Sequence, residues 1–171
     1  MRILLADDHP LFLDGLGSLL ASHGIEVVGS ASDGFEAVEK ARTLRPDIIL
    51  MDIGMPRLDG LAALRLIHAE LPEIRIIMLT LSAEDENLFE AIKSGAWGYL
   101  LKTQKTTEFF EMLGDVARGE VVLSPGLATR ILREFGTNAL LAPAAGKQPP
   151  ASLSPRQREV LAVVAEGLTY K

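Results

Sequence analysis

A chain of 171 residues, 48% of them hydrophobic and 23% charged, is long enough for one well-buried core with a smaller element attached. It has no cysteine, which excludes disulfides, thiolate metal sites and thiol catalysis and suits a reducing cytoplasm. The net charge of -6 argues against a nonspecific polyanion-binding surface, and no apolar run approaches the roughly 20 residues that span a bilayer, so a soluble protein off the membrane is expected.

The opening Met1-Arg2-Ile3-Leu4-Leu5 meets Asp7 and Asp8 too soon for a signal peptide and reads instead as a first strand over residues 2–6. Leu11, Leu16, Leu19 and Leu20 then share one helical face. A second strand is predicted over residues 25–30, followed by a helix carrying Phe35, Val38, Ala41 and Leu44. The third strand spans 47–51, and Asp59-Gly60 is a turn feeding a helix marked by Leu61, Leu64, Ile67 and Leu71. A fourth strand over 74–79 precedes a helix with Phe89 and Ile92. A fifth over 97–100 precedes one with Phe109, Phe110, Leu113 and Val116, and Gly95 and Gly119 suit left-handed caps after these last two helices.

Strands alternating with helices of this length imply parallel pairing, with helices over both faces of a doubly wound five-stranded sheet. For such α/β chains the flavodoxin-like order 2-1-3-4-5 is one of the common solutions, and it places the ligand crevice at the carboxyl ends of the first and third strands. After Gly119 the alternation stops. Val121-Val122-Leu123 leads to Ser124-Pro125, a helix start, and Leu127, Ile131, Leu132 and Phe135 mark a sixth helix expected to lie outside the sheet. Residues 137–152 gather alanine, glycine and proline as a flexible tether. Leu153-Ser154-Pro155-Arg156-Gln157 opens another helix, with Leu161, Val164 and Ala165 on one face, and the chain stops at Lys171 as if at the beginning of a further module. The expected organisation is a domain over residues 1–119, a linker over 120–152 and a truncated third unit over 153–171.

The chemistry lies at the strand ends. Ala6-Asp7-Asp8-His9, Met51-Asp52-Ile53-Gly54-Met55-Pro56, Leu79-Thr80 and Leu101-Lys102 bring carboxylates, a hydroxyl and an ammonium to one sheet edge. Carboxylates so gathered repel one another and shift toward protonation unless a cation joins them, so the cluster asks for a metal. Magnesium fits: it prefers oxygen ligands and commonly takes one or two carboxylates with waters and phosphate oxygens. Asp7 and Asp8 are the expected ligands, with the Gly54 carbonyl completing the protein's share. Asp52 is the candidate nucleophile, able to accept a phosphoryl group as an acyl phosphate, while Lys102 and Thr80 meet the oxygens of the transferred group. Singly, each residue has an ordinary reading. Asp7 or Asp8 alone is a helix cap, Thr80 a strand residue, Lys102 a solvated side chain and His9 a surface or capping residue. Their joint occurrence at the ends of strands one, three, four and five favours the functional reading.

These peptides resemble the receiver domains of two-component response regulators over residues 1 to about 119. The segments Leu5-Ala6-Asp7-Asp8-His9-Pro10, DIILMDIGMPRLDG from Asp47 and GAWGYLLK from Gly95 look most like the NarL/FixJ subfamily, and imply a CheY-like receiver fold. The resemblance implies that Asp52 is phosphorylated by a sensor histidine kinase, with Asp7, Asp8, Asp52 and Gly54 holding Mg2+. It further implies that Thr80 and Lys102 contact the phosphoryl group and that Tyr99 follows Thr80 as the switch aromatic. The segment from Leu153 to Thr169 resembles the start of a LuxR-type helix-turn-helix, whose second helix reads the major groove and would lie beyond Lys171. The intact protein is thus expected to be a cytoplasmic, DNA-binding transcription regulator that dimerises on phosphorylation, whereas residues 1–171 do not bind DNA specifically.

The expected role is phosphoacceptor rather than enzyme, with at most slow self-dephosphorylation. Two rival readings stand beside this one: a phosphorylation-independent receiver acting as an interaction module, and a haloacid dehalogenase-type phosphohydrolase. The latter usually carries a second Asp two residues after the nucleophile, where this chain has Gly54. A Gly-rich phosphate loop is also missing after the first strand, which disfavours nucleotide binding. Two positions depart from the common receiver pattern: Thr103 follows Lys102 where proline is frequent, and Leu81 after Thr80 is bulkier than usual, narrowing access to Asp52.

Overall fold

The computed structural model describes residues 1–82, 87–124 and 127. In chain order they form β1 (Arg2–Ala6), α1 (Pro10–Ser22), β2 (Glu26–Ala31), α2 (Gly34–Leu44), β3 (Ile48–Asp52), α3 (Gly60–Glu70), β4 (Arg75–Thr80), α4 (Leu88–Lys93), β5 (Gly98–Leu101), α5 (Thr106–Arg118) and β6 (Val122–Leu123). The strands pair in parallel in the order β2-β1-β3-β4-β5-β6. The predicted five-strand order is therefore present, with one correction. Val122 and Leu123, within the 121–123 segment expected only to lead into a helix, extend the sheet: Gly98 pairs with Val122 and Tyr99 with Leu123.

Alternation along the strands sends side chains to two apolar layers. Leu4, Ala6, Ile49, Met51, Ile76, Met78 and Tyr99 pack with α2, α3 and α4. Ile3, Leu5, Ile48, Leu50, Ile77, Leu79 and Leu100 face Leu20 of α1 and Phe109, Leu113 and Val116 of α5. The α1 stripe is less buried than its periodicity implies. Leu20 is fully buried, but Leu11, at the start of the helix, is 86% exposed. Phe35 is also exposed, because its position at the start of α2 faces outward from Val38 and Ala41.

Local capping explains where the helices begin. Asp33 accepts the Glu36 N–H at 3.0 Å and Glu36 reaches back to the Ser32 N–H at 2.8 Å, so α2 starts with reciprocal caps. Asp59 accepts the Ala62 N–H at 2.7 Å at the start of α3, giving the predicted Asp59-Gly60 turn a definite role. Gly95 and Gly119 adopt the expected positive φ after α4 and α5. The predicted sixth helix beyond Leu127, the tether and the 153–171 unit lie outside the described residues. Leu127 itself is buried and donates its N–H to the Ser124 carbonyl at 2.9 Å.

Candidate phosphoacceptor and metal site

In a doubly wound sheet the crevice forms where strand order reverses, here between β1 and β3. Asp52 ends β3, Asp7 follows β1, Thr80 ends β4 and Lys102 follows β5, so one sheet edge carries all four. Lys102 joins them. Its Nζ lies 2.6 Å from Asp7 Oδ2 and 2.7 Å from Asp52 Oδ1, and its side chain is only 6% exposed. Burial alone lowers the pKa of this ammonium, but its contacts with Asp52 and Asp7 outweigh the burial and raise it above the ordinary value. Lys102 therefore stays charged at neutral pH. Its Nζ also stands 4.6 Å from the centroid of the Phe12 ring, on the first turn of α1.

Asp52 Oδ2 accepts the Gly54 N–H at 3.0 Å, which orients the carboxylate toward the loop that follows it. The backbone N–H of Lys102 donates to the Thr80 carbonyl at 2.7 Å, while the Thr80 hydroxyl meets the Ser82 carbonyl and N–H at 3.4 and 3.3 Å. Tyr99 is fully buried and packs in the layer formed with α2, α3 and α4.

His9 is more involved than its sequence position suggests. Its Nδ1 lies 3.1 Å from Asp7 Oδ1 and 2.8 Å from Asp8 Oδ1, and its backbone N–H donates to Asp7 Oδ1 at 3.0 Å. Asp7, Asp8 and His9 each place a potential ligand atom within 4.8 Å of the others. Asp8 Oδ1 is a buried oxygen that receives no well-directed hydrogen bond. Hard carboxylate oxygens from Asp7, Asp8 and Asp52 gathered at one sheet edge are a donor set that fits Mg2+. Phe12 carries no local signal for its place beside Lys102. His9 was legible only through its adjacency to the two aspartates.

Beside Lys102, between α1 and α5, a cavity of about 590 Å³ is lined mostly by apolar side chains, among them Phe12, Leu16, Leu81 and Phe109. Leu81 is 70% exposed at this rim.

Residues 3–114 match the model of the response regulator receiver domain. The chain belongs to the response regulators of two-component systems. It is 41% identical to the transcriptional regulatory protein LiaR of Bacillus subtilis, over all of this chain and 79% of that protein. It is 36% identical to the nitrate/nitrite response regulator protein NarL of Escherichia coli, over 99% of this chain and 77% of that one. A solved LuxR-family response regulator from Aurantimonas superposes with a TM-score of 0.75 at 32% identity, over 79% of this chain and 97% of that chain. This response regulator is thus of the NarL/LuxR type, its relatives regulate transcription, and the phosphohydrolase reading falls away. Among the described residues no helix is long and apolar enough to cross a membrane.

Proposed function

We propose that Asp52 is the phosphoacceptor of this response regulator and that Asp7, Asp8, Asp52 and the Gly54 carbonyl hold Mg2+ beside it. The observation that carries this reading is the Lys102 ammonium between Asp7 and Asp52 at 2.6 and 2.7 Å, in the crevice of a receiver fold. An Asp52 oxygen attacks phosphorus and forms the acyl phosphate, while the bond from phosphorus to the donor nitrogen of a kinase phosphohistidine breaks and its electron pair leaves with the imidazole. Lys102 neutralises the oxygens of the transferred group, and the Thr80 hydroxyl turns from Ser82 to meet them. Bound Mg2+ supplies further positive charge to those oxygens.

The redirected Thr80 leaves room at β4, and Tyr99, buried beside it on β5, carries the change to the α4–β5–α5 surface. A cytoplasmic protein that dimerises on phosphorylation, with a linker that follows β6 and runs to residue 152, and 153–171 as the start of a LuxR-type DNA-binding domain, completes the reading. LiaR is a transcriptional regulatory protein and supports this output. The site acts as a phosphoacceptor, with at most slow hydrolysis of its own acyl phosphate, rather than as a turnover enzyme.

Incubation with acetyl phosphate and Mg2+, followed by intact-mass measurement, is expected to show one phosphoryl adduct that is lost with EDTA and in Asp52→Asn. An adduct that survives in Asp52→Asn would move the acceptor elsewhere. Leu81→Ala is expected to accelerate this labelling a few-fold, since Leu81 shares the rim with Lys102 and Phe12. Equal labelling rates for Leu81→Ala and wild type would remove Leu81 as a barrier.

A further inference from the structure

The loop that carries Asp52 and Gly54 is closed on itself and fastened at its far end. Gly60 N–H donates to the Ile53 carbonyl at 2.9 Å, so residues 53–60 form a closed excursion. At its tip Leu58 N–H donates to the Pro56 carbonyl at 2.7 Å across Arg57, which sits at φ 64. A side-chain-bearing residue in that conformation is strained and persists only where the surroundings hold it. Two contacts do so, both to the start of α2. Gly34 N–H donates to the Leu58 carbonyl at 2.9 Å, at a distance where a Cβ on Gly34 would stand 2.4 Å from that oxygen. The Arg57 guanidinium pairs with the Asp33 carboxylate, whose side chain is only 3% exposed although that of Arg57 is 65% exposed.

We propose that Arg57 is a positioning residue for the metal site: its pair with Asp33 latches the 53–60 loop to α2 and so holds the Gly54 carbonyl and the Asp52 carboxylate where Mg2+ is bound. This rests on the metal assignment above. The latch touches neither the metal ligands nor the transferred group and acts through the loop alone. Released, the loop samples other conformations, and the apparent affinity falls by the fraction of time it is competent. A merely structural ion pair would change melting and leave affinity alone.

Calorimetric titration of Mg2+ into the 171-residue protein tests this. Arg57→Gly, which keeps the left-handed backbone without strain, and Asp33→Asn, which keeps a capping oxygen, are each expected to weaken Mg2+ binding about fivefold. Arg57→Lys is expected to restore most of the affinity. Arg42→Ala, which breaks the exposed Arg42–Glu70 pair between α2 and α3, is expected to bind as wild type does. Asp8→Ala is expected to abolish binding. Wild-type affinity in both Arg57→Gly and Asp33→Asn, with binding still lost in Asp8→Ala, would overturn the latch and leave the metal site standing. Equal weakening in Arg42→Ala would also overturn it. A wild type that binds no better than Asp8→Ala would instead remove the metal assignment, and the latch with it.

Discussion

Lys102→Met is expected to lower the stability of the metal-free protein by about 3–5 kcal/mol, with most of the loss recovered on adding Mg2+. The magnitude follows from burial. The Lys102 side chain is 6% exposed, and its partners on Asp7 and Asp52 are 2% and 11% exposed, so removing the ammonium leaves two carboxylates facing each other with little water to screen them. Methionine keeps the length and packs against Phe12, so the loss reports charge rather than a cavity. A ligand that binds only the folded state stabilises it by an amount that grows with its concentration over Kd, roughly 2.7 kcal/mol at a hundredfold excess. The variant, lacking its own cation, should gain more from Mg2+ than wild type does. Urea unfolding with EDTA and with Mg2+ measures both quantities. A variant as stable as wild type in EDTA, or an equal Mg2+ increment in the two proteins, would show that the carboxylates do not depend on Lys102 for compensation.

The same residues show which parts of the architecture are legible from one sequence. Periodicity located all five main strands with ends displaced by no more than a residue; β3, read as 47–51, runs Ile48–Asp52, which makes Asp52 the last strand residue rather than the first of the loop. Such displacement is expected, because hydrophobic alternation marks buried faces and not the last ladder hydrogen bond. The two residues of β6 are too short for any period to register, and their burial depends on β5 lying alongside. Residue types at the site were legible because strand ends in a parallel sheet converge on one edge. Their pairings were not. Lys102 reaches Asp52 from the far side of β4, and Phe12 reaches Lys102 from α1, the crossover that joins β1 to β2. Arg57 and Asp33 are a sharper case. Asp33 caps α2 and Arg57 lies in the loop between β3 and α3, and nothing in either segment of the sequence announces that the two side chains meet.

The loop closure under Asp52 makes a second strong expectation: Gly60→Ala should destabilise the protein by at least about 3 kcal/mol, or prevent folding outright. A Cβ at this position would stand 1.9 Å from the Asp52 carbonyl oxygen, 2.9 Å from its carbonyl carbon and 3.2 Å from Ile53 Cα. All three are backbone atoms, so no rotamer change relieves the clash. Relief requires moving either the end of β3, which pairs with β4 through Asp52 and Leu79, or the start of α3, which Asp59 caps. Gly15→Ala is the matched comparison. It lies within α1 with no atom within 4 Å of an added Cβ, and alanine there should be neutral or stabilising by roughly 0.4–1 kcal/mol. At about 2–4 °C per kcal/mol for a chain of this size, the two variants should melt on opposite sides of wild type or nearly so, with Gly60→Ala roughly 10 °C lower. A Gly60→Ala protein melting within about 2 °C of wild type would mean that β3 and α3 part at little cost. The backbone of Asp52 would then not be held from below as tightly as the contact with Gly60 implies.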